Sequence, residues 1–143
     1  MRSPNDLWRL KRIKALSPEL CKRRHQVALT LGNHPVIDLM VVSPAGRQFV
    51  VDVKGLYRLA LWQVRPKPMR DDLFYVFALV PDPDEGPNPF FILTQTEVSD
   101  GIKDAVTRWV ARDSAKANQE DTRPGVLHDF ARQHENCWDK LLP

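Results

Sequence analysis

Residues 36–55 read VIDLMVVSPAGRQFVVDVKG. Two apolar runs, 37–42 and 49–53, flank Ser43-Pro44-Ala45-Gly46-Arg47, whose Pro and Gly mark a tight reversal, so the stretch reads as a β-hairpin. With the turn centred on Ala45, Val42 faces Gln48, Met40 faces Val50 and Asp38 faces Asp52. Side chains directly opposed on paired strands have Cβ atoms roughly 5 Å apart. Because side chains alternate along a strand, Lys54 shares the face of Asp52, while Phe49, Val51 and Val53 point to the other side. Two carboxylates and an ammonium therefore converge at one end of the hairpin.

Like charges placed opposite one another destabilise a sheet, which predicts that Asp52→Ala matches or exceeds the metal-free chain in stability. A divalent cation removes that penalty. Mg²⁺ or Mn²⁺ prefers oxygen ligands and keeps several waters, so Asp38 and Asp52 suit a half-shell open toward a phosphate. Such an ion polarises a phosphodiester and lowers the pKa of a bound water, and Lys54 would orient that water or stabilise charge on the phosphate oxygens. The plainer reading of Asp52 and Lys54 is an ordinary ion pair on a half-exposed strand.

Asp38, the short turn and Asp52-Val53-Lys54 resemble the core of the PD-(D/E)xK nuclease superfamily, in which an acidic residue on one strand is followed by (D/E)xK on the next. The likeness covers residues 17–112 and is similar to small bacterial and phage-type members. Pro35 lies three residues before Asp38 rather than beside it. The resemblance implies a restriction-endonuclease-like fold and metal-dependent hydrolysis of DNA. It makes Asp38 and Asp52 ligands of Mg²⁺ or Mn²⁺ and Lys54 the catalytic lysine. It also implies an acidic residue from the helix before the hairpin, for which Glu19 is the nearest candidate and Asp6 the other. The alternative is a catalytically inactive module of the same fold that binds nucleic acid or a partner protein.

At 143 residues the chain has the length of one domain, with a basic lobe over 1–24, a core over 25–112 and a loop and packed tail over 113–143. Cys21 and Cys137 are too few for a disulfide scaffold, and with the four histidines they form no zinc pattern. No apolar stretch is long enough for a membrane span and no glycine-rich phosphate loop is present, so the expected setting is cytoplasmic and ATP-driven chemistry is disfavoured. The net charge of +3 hides an asymmetry: residues 1–24 carry eight Lys and Arg against Asp6 and Glu19, or +6, which leaves −3 elsewhere. Arg9, Lys11, Arg12, Lys14, Lys22, Arg23 and Arg24, with Arg58 further on, are the expected phosphate contacts on DNA. Good helix formers on a solvated face would give the same composition. A chain this short has little spare surface for recognition, so a homodimer or larger complex is expected.

The remaining pattern predicts an α/β fold, a mixed sheet of about five strands (26–31, 36–42, 49–54, 73–80 and 90–93) flanked by helices, with 61–64 as a further candidate strand. Residues 5–16 read as one helix, and Ser17-Pro18 as the start of a second, short one to Arg24. Thr94 or Thr96 caps a helix over 97–111, residues 113–125 read as a loop, and Trp138 and Leu142 are expected to pack back onto the domain. Tyr57 and Trp62 among Arg58, Arg65, Lys67 and Arg70 suit either a nucleic-acid groove or hairpin packing. His34 and Gln63 are weaker candidates for supporting roles at the site.

Overall fold

A computed structural model describes residues 4–29, 38–56, 61–79, 88–112 and 124–143, with 4–10 and 29 by backbone alone. The chain begins with helix α1, Pro4–Lys22, a single element that contains Pro18. The expected break at Ser17-Pro18 does not occur. Ile13, Leu16 and Leu20 form one stripe at i, i+3 and i+7, all buried against the sheet. Burying three such side chains contributes about 1.5–3 kcal/mol each, which exceeds the roughly 3 kcal/mol cost of an interior proline. Ser17 Oγ also donates to the Ile13 carbonyl at 2.9 Å. The helix ends with Arg24 at φ 63°, Arg24 N–H donating to Cys21 O and His25 N–H to Leu20 O, a left-handed cap built without glycine.

Five strands follow in one mixed sheet: β1 (Gln26–Leu29), β2 (Leu39–Val42), β3 (Gln48–Leu56), β5 (Leu73–Leu79) and β6 (Phe90–Thr94), in that spatial order. β3 and β5 are parallel and every other neighbouring pair is antiparallel. The hairpin register matches the sequence reading, with Val42 opposite Gln48 and Met40 opposite Val50. It is set by the turn: Ser43 N–H donates to Arg47 O, Gly46 N–H to Ser43 O and Arg47 N–H to Ser43 Oγ, with Gly46 at φ 84°.

β4, Leu61–Gln63, does not join this sheet as a further strand. It pairs with β7, Gly125–Leu127, in a separate two-stranded sheet. The cause is Trp62, 1% exposed, whose indole stacks on Phe77 at 5.2 Å and so lays β4 over the face of the main sheet rather than along its edge. That burial removes Trp62 as a surface for stacking bases. Helix α2, Gln95–Arg112, starts with a reciprocal cap in which Glu97 N–H donates to Thr94 Oγ1 and Thr94 N–H to Glu97 Oε1. The tail continues through a short helix α3, His128–Ala131, and two 3₁₀ turns, and Trp138 packs on Phe90 as expected.

The sheet separates two cores. Phe49, Val51 and Val53 of β3 face α1, while Val50 faces a second core formed with Trp62, Tyr75, Phe77 and Val126. Asp52 and Lys54 project to that second side by alternation. Among the described residues, no helix is long and apolar enough to cross a membrane.

Candidate active site

Among the described residues only three polar side chains are buried, Ser43, Asp52 and Gln95, and two of them build one site. Asp52, 3% exposed, lies in the middle of β3. Lys54 Nζ is 3.2 Å from its Oδ1, and Lys67 Nζ donates to its Oδ2 at 2.5 Å. A carboxylate withdrawn from water costs several kcal/mol unless it is paired, and here two ammonium groups offset that cost. Asp52→Ala is therefore expected to lose stability rather than match the metal-free chain, because it takes a charge partner from Lys67, whose side chain is only 16% exposed.

The sequence placed Lys67 only in a charged, aromatic stretch suited to a nucleic-acid groove or hairpin packing, not beside Asp52. Lys67 comes from the Pro-containing segment between β4 and β5, and its position depends on Gln95, the first residue of α2. Gln95 Nε2 donates to the carbonyls of Lys67 at 3.1 Å and Pro68 at 3.0 Å, and its Oε1 accepts the Arg70 N–H at 2.8 Å. This triple attachment holds an irregular segment rigid enough to deliver one lysine to a buried acid. Tyr75 is opposite Asp52 in the β3–β5 register, and the Lys67 ammonium lies 5.7 Å from its ring centroid. Burial, and secondarily the charge of Asp52, push the Tyr75 phenol up to about 12, so it stays neutral and forms a dry wall to the site.

Asp38 lies at a bend immediately before β2, where the paired register ends at Leu39 opposite Val51. Its N–H donates to Val51 O at 3.1 Å, and its Oδ2 accepts the Val53 N–H at 2.8 Å. The side chain thus takes over an acceptor position on the β3 backbone where the β2 ladder stops, which fixes the carboxylate beside Asp52's strand. Lys54, with a side chain 33% exposed, extends from Asp52 toward solvent.

Glu19 sits elsewhere in the network. Its carboxylate is bound by Lys22 Nζ at 3.2 Å and Arg23 Nη1 at 3.1 Å on its own helix, and the Arg23 and then the Lys22 contact hold its pKa below the ordinary value. Asp6 is described by backbone alone. No group of three or more His, Cys, Asp or Glu residues suited to a metal occurs among the described residues. The acidic groups near β3 are Asp52 on the strand and Asp38 at the bend before β2. Carboxylate oxygens are the right chemistry for Mg²⁺ or Mn²⁺, and here both oxygens of Asp52 face ammonium groups while Asp38 Oδ2 accepts a backbone N–H.

The basic helix packs against the face opposite Asp52 and Lys54. Lys14, Lys22 and Arg24 are exposed, and Arg23 packs over Trp138, 4.1 Å from the ring centroid. Arg12 comes to the end of the site strand, where its side chain fills the space that a Cβ on Gly55 would need. Lys11 is half-buried on the same helix. The Arg9 side chain, Tyr57, Arg58 and His34 lie outside the described residues, and Gln63 is exposed on β4. On the site's own side of the sheet, an open groove of about 430 Å³ runs over β1–β3, lined by Ala28, Met40, Val42, Val50, Arg70 and Asp72. Comparison with family models, curated proteins and solved structures gives no significant match to this chain.

Proposed function

We propose that the chain is a metal-dependent phosphodiesterase acting on DNA, of the PD-(D/E)xK type, with Asp38 and Asp52 as the ion's protein ligands and Lys54 as the catalytic cation. The observation that carries this reading is a buried, strand-central aspartate with a lysine two residues on beside it, and a second aspartate, Asp38, whose carboxylate is bonded to the same strand at the Val53 N–H. A buried, ion-paired carboxylate adds little net stability over an apolar side chain of the same size, so its place in mid-strand supports a functional role.

A bound Mg²⁺ or Mn²⁺ would supply Lewis-acid polarisation of the phosphodiester and a more acidic water. The chain's own residues do the rest. The Val53 N–H holds the Asp38 carboxylate in place. Lys54 places positive charge at the exposed edge of the site, where it stabilises negative charge building on phosphate oxygens. The neutral Tyr75 and the apolar residues around it lower the local dielectric and so strengthen both effects. DNA would approach along the open groove beside the site, with a second copy of the chain or another subunit extending the contact.

A second reading has its own support: both oxygens of Asp52 carry ammonium partners and no third acidic residue joins the site among the described residues. Such a chain binds nucleic acid or a partner protein without cleaving. The two are separated by turnover on single-stranded, duplex and branched DNA with Mg²⁺ or Mn²⁺. The proposal expects cleavage that chelation abolishes and that Lys54→Met lowers by about a hundredfold or more without rescue by extra metal. Binding without cleavage on every substrate would favour the second reading.

A further inference from the structure

The outer face of the β4–β7 pair carries a second groove, away from the Asp52 cluster. Trp62 of β4 and Val126 of β7 are buried in the second core, so by alternation their neighbours Leu61 and Leu127, which are cross-strand partners, point away from the sheet. With Val106 and Trp109 of α2 they line an open groove of about 300 Å³, and Arg108 and Arg112 line it too. Val106 is 43% exposed, while Leu61, Trp109 and Leu127 are half-buried. Arg108 is balanced by the chain itself, its Nε 3.1 Å from Asp104 and its Nη1 3.6 Å from Asp129. Arg112 is exposed and makes no ion pair among the described residues, so it leaves positive charge in excess beside the groove. A helix dipole accounts for a cation in the last turn of α2, but not for an open apolar floor next to it.

α2 and β4 lie on the side of the sheet that Asp52 and Lys54 face, since Val98, Ile102 and Trp62 belong to the second core. β4 lies at the Lys54 end of the site: Trp62 stacks on Phe77, and Phe77 is opposite Lys54. We propose that this groove binds a single-stranded stretch of nucleic acid, with a base against the Trp109 indole over Leu61 and Leu127 and a phosphate held by Arg112. The apolar floor selects this ligand among polyanions, because an unpaired base offers a π-face for it and an acidic peptide offers only carboxylates that need cations. Bases inside a duplex are already stacked on one another and do not enter such a groove. The site shares with the reading above only its nucleic-acid ligand and holds whether or not Asp52 and Lys54 cleave.

The test is binding of a short fluorescein-labelled oligothymidylate to the full chain, read by anisotropy with EDTA present so that neither metal nor cleavage enters. Trp109→Leu should weaken binding by at least about fivefold, as for the loss of one stacked base. Arg112→Gln should lower the slope of log affinity against log salt by about 0.7, the share of one phosphate on a single strand. Arg24→Gln, on the helix that covers the other side of the sheet, should change neither by as much, and the matching duplex should bind more weakly than the single strand. Val106→Glu, at an exposed position, places a carboxylate in the groove and should also weaken binding, which keeps the comparison if Trp109→Leu does not fold. Wild-type affinity in a folded Trp109→Leu or in Val106→Glu, or a loss in Arg24→Gln as large as in Arg112→Gln, overturns the groove as the site and leaves the reading of Asp52 standing. Polyglutamate that displaces the oligonucleotide as well as unlabelled oligothymidylate does would show charge without base recognition and overturn it too. No binding by the wild type to single strand or duplex overturns the groove and the DNA reading together.

Discussion

Lys140 joins the tail to the start of α2. Its ammonium donates to the Ile92 carbonyl, to both Glu97 oxygens at 3.0 and 2.9 Å and to His134 Nδ1, and His134 Nδ1 is itself 3.1 Å from Glu97. Burial raises the Glu97 pKa, but the Thr94 N–H, Lys140 and His134 outweigh it and hold the carboxyl below its ordinary 4.5. Burial and then the Lys140 charge hold the His134 imidazole below 6.5, with Glu97 opposing. Both groups bind protons more readily in the unfolded chain, so both make stability fall as pH falls. The His134 contribution is complete above 6.5 and declines through the interval below it. The Glu97 contribution is complete above 4.5 and is lost as pH falls through the lower folded value. The urea midpoint is therefore expected to drop in two stages on acidification, and Glu97→Gln should remove much of the lower one. A midpoint that stays flat or rises as pH falls would contradict this pairing.

Pro18 separates the two ways of reading the N-terminal helix. As the first residue of a new helix it would be favourable, and Pro18→Ala would cost stability. As an interior residue of α1 it lacks the N–H that its turn needs, so Pro18→Ala should raise unfolding stability by about 1–3 kcal/mol, read from denaturant midpoints. A loss on substitution would restore the broken helix. The local rule failed here because the Ile13, Leu16 and Leu20 stripe acts over more residues than a cap does. The hairpin was legible for the opposite reason: its register depends on a five-residue turn, Ser43 to Arg47, with its own hydrogen bonds. β4 was legible as a strand but its partner was not, and β7 was not legible at all, since each is a three-residue strand and their pairing joins distant parts of the chain. Of the site, Asp38, Asp52 and Lys54 could be placed because they belong to that hairpin. Lys67 could not, because a glutamine 28 residues away positions it.

Across the whole molecule, charge and chemistry occupy different sides of the sheet. The helix that carries much of the positive charge covers the Phe49, Val51 and Val53 face, and the Asp52 cluster opens on the other. The candidate site therefore draws its own cations, Lys54 and Lys67, from the hairpin and from the segment held by Gln95. The proposed function ties these elements together through a divalent ion shared by Asp38 and Asp52, and thermal unfolding with and without Mg²⁺ tests for it. For wild type at a hundred times Kd, the ion should add about 2.7 kcal/mol of stability. Asp38→Asn and Asp52→Asn should each lose that gain, with Asp52→Asn also less stable than wild type before Mg²⁺ is added. A wild type that Mg²⁺ does not stabilise, or a gain that survives in either variant, would contradict a shared ion.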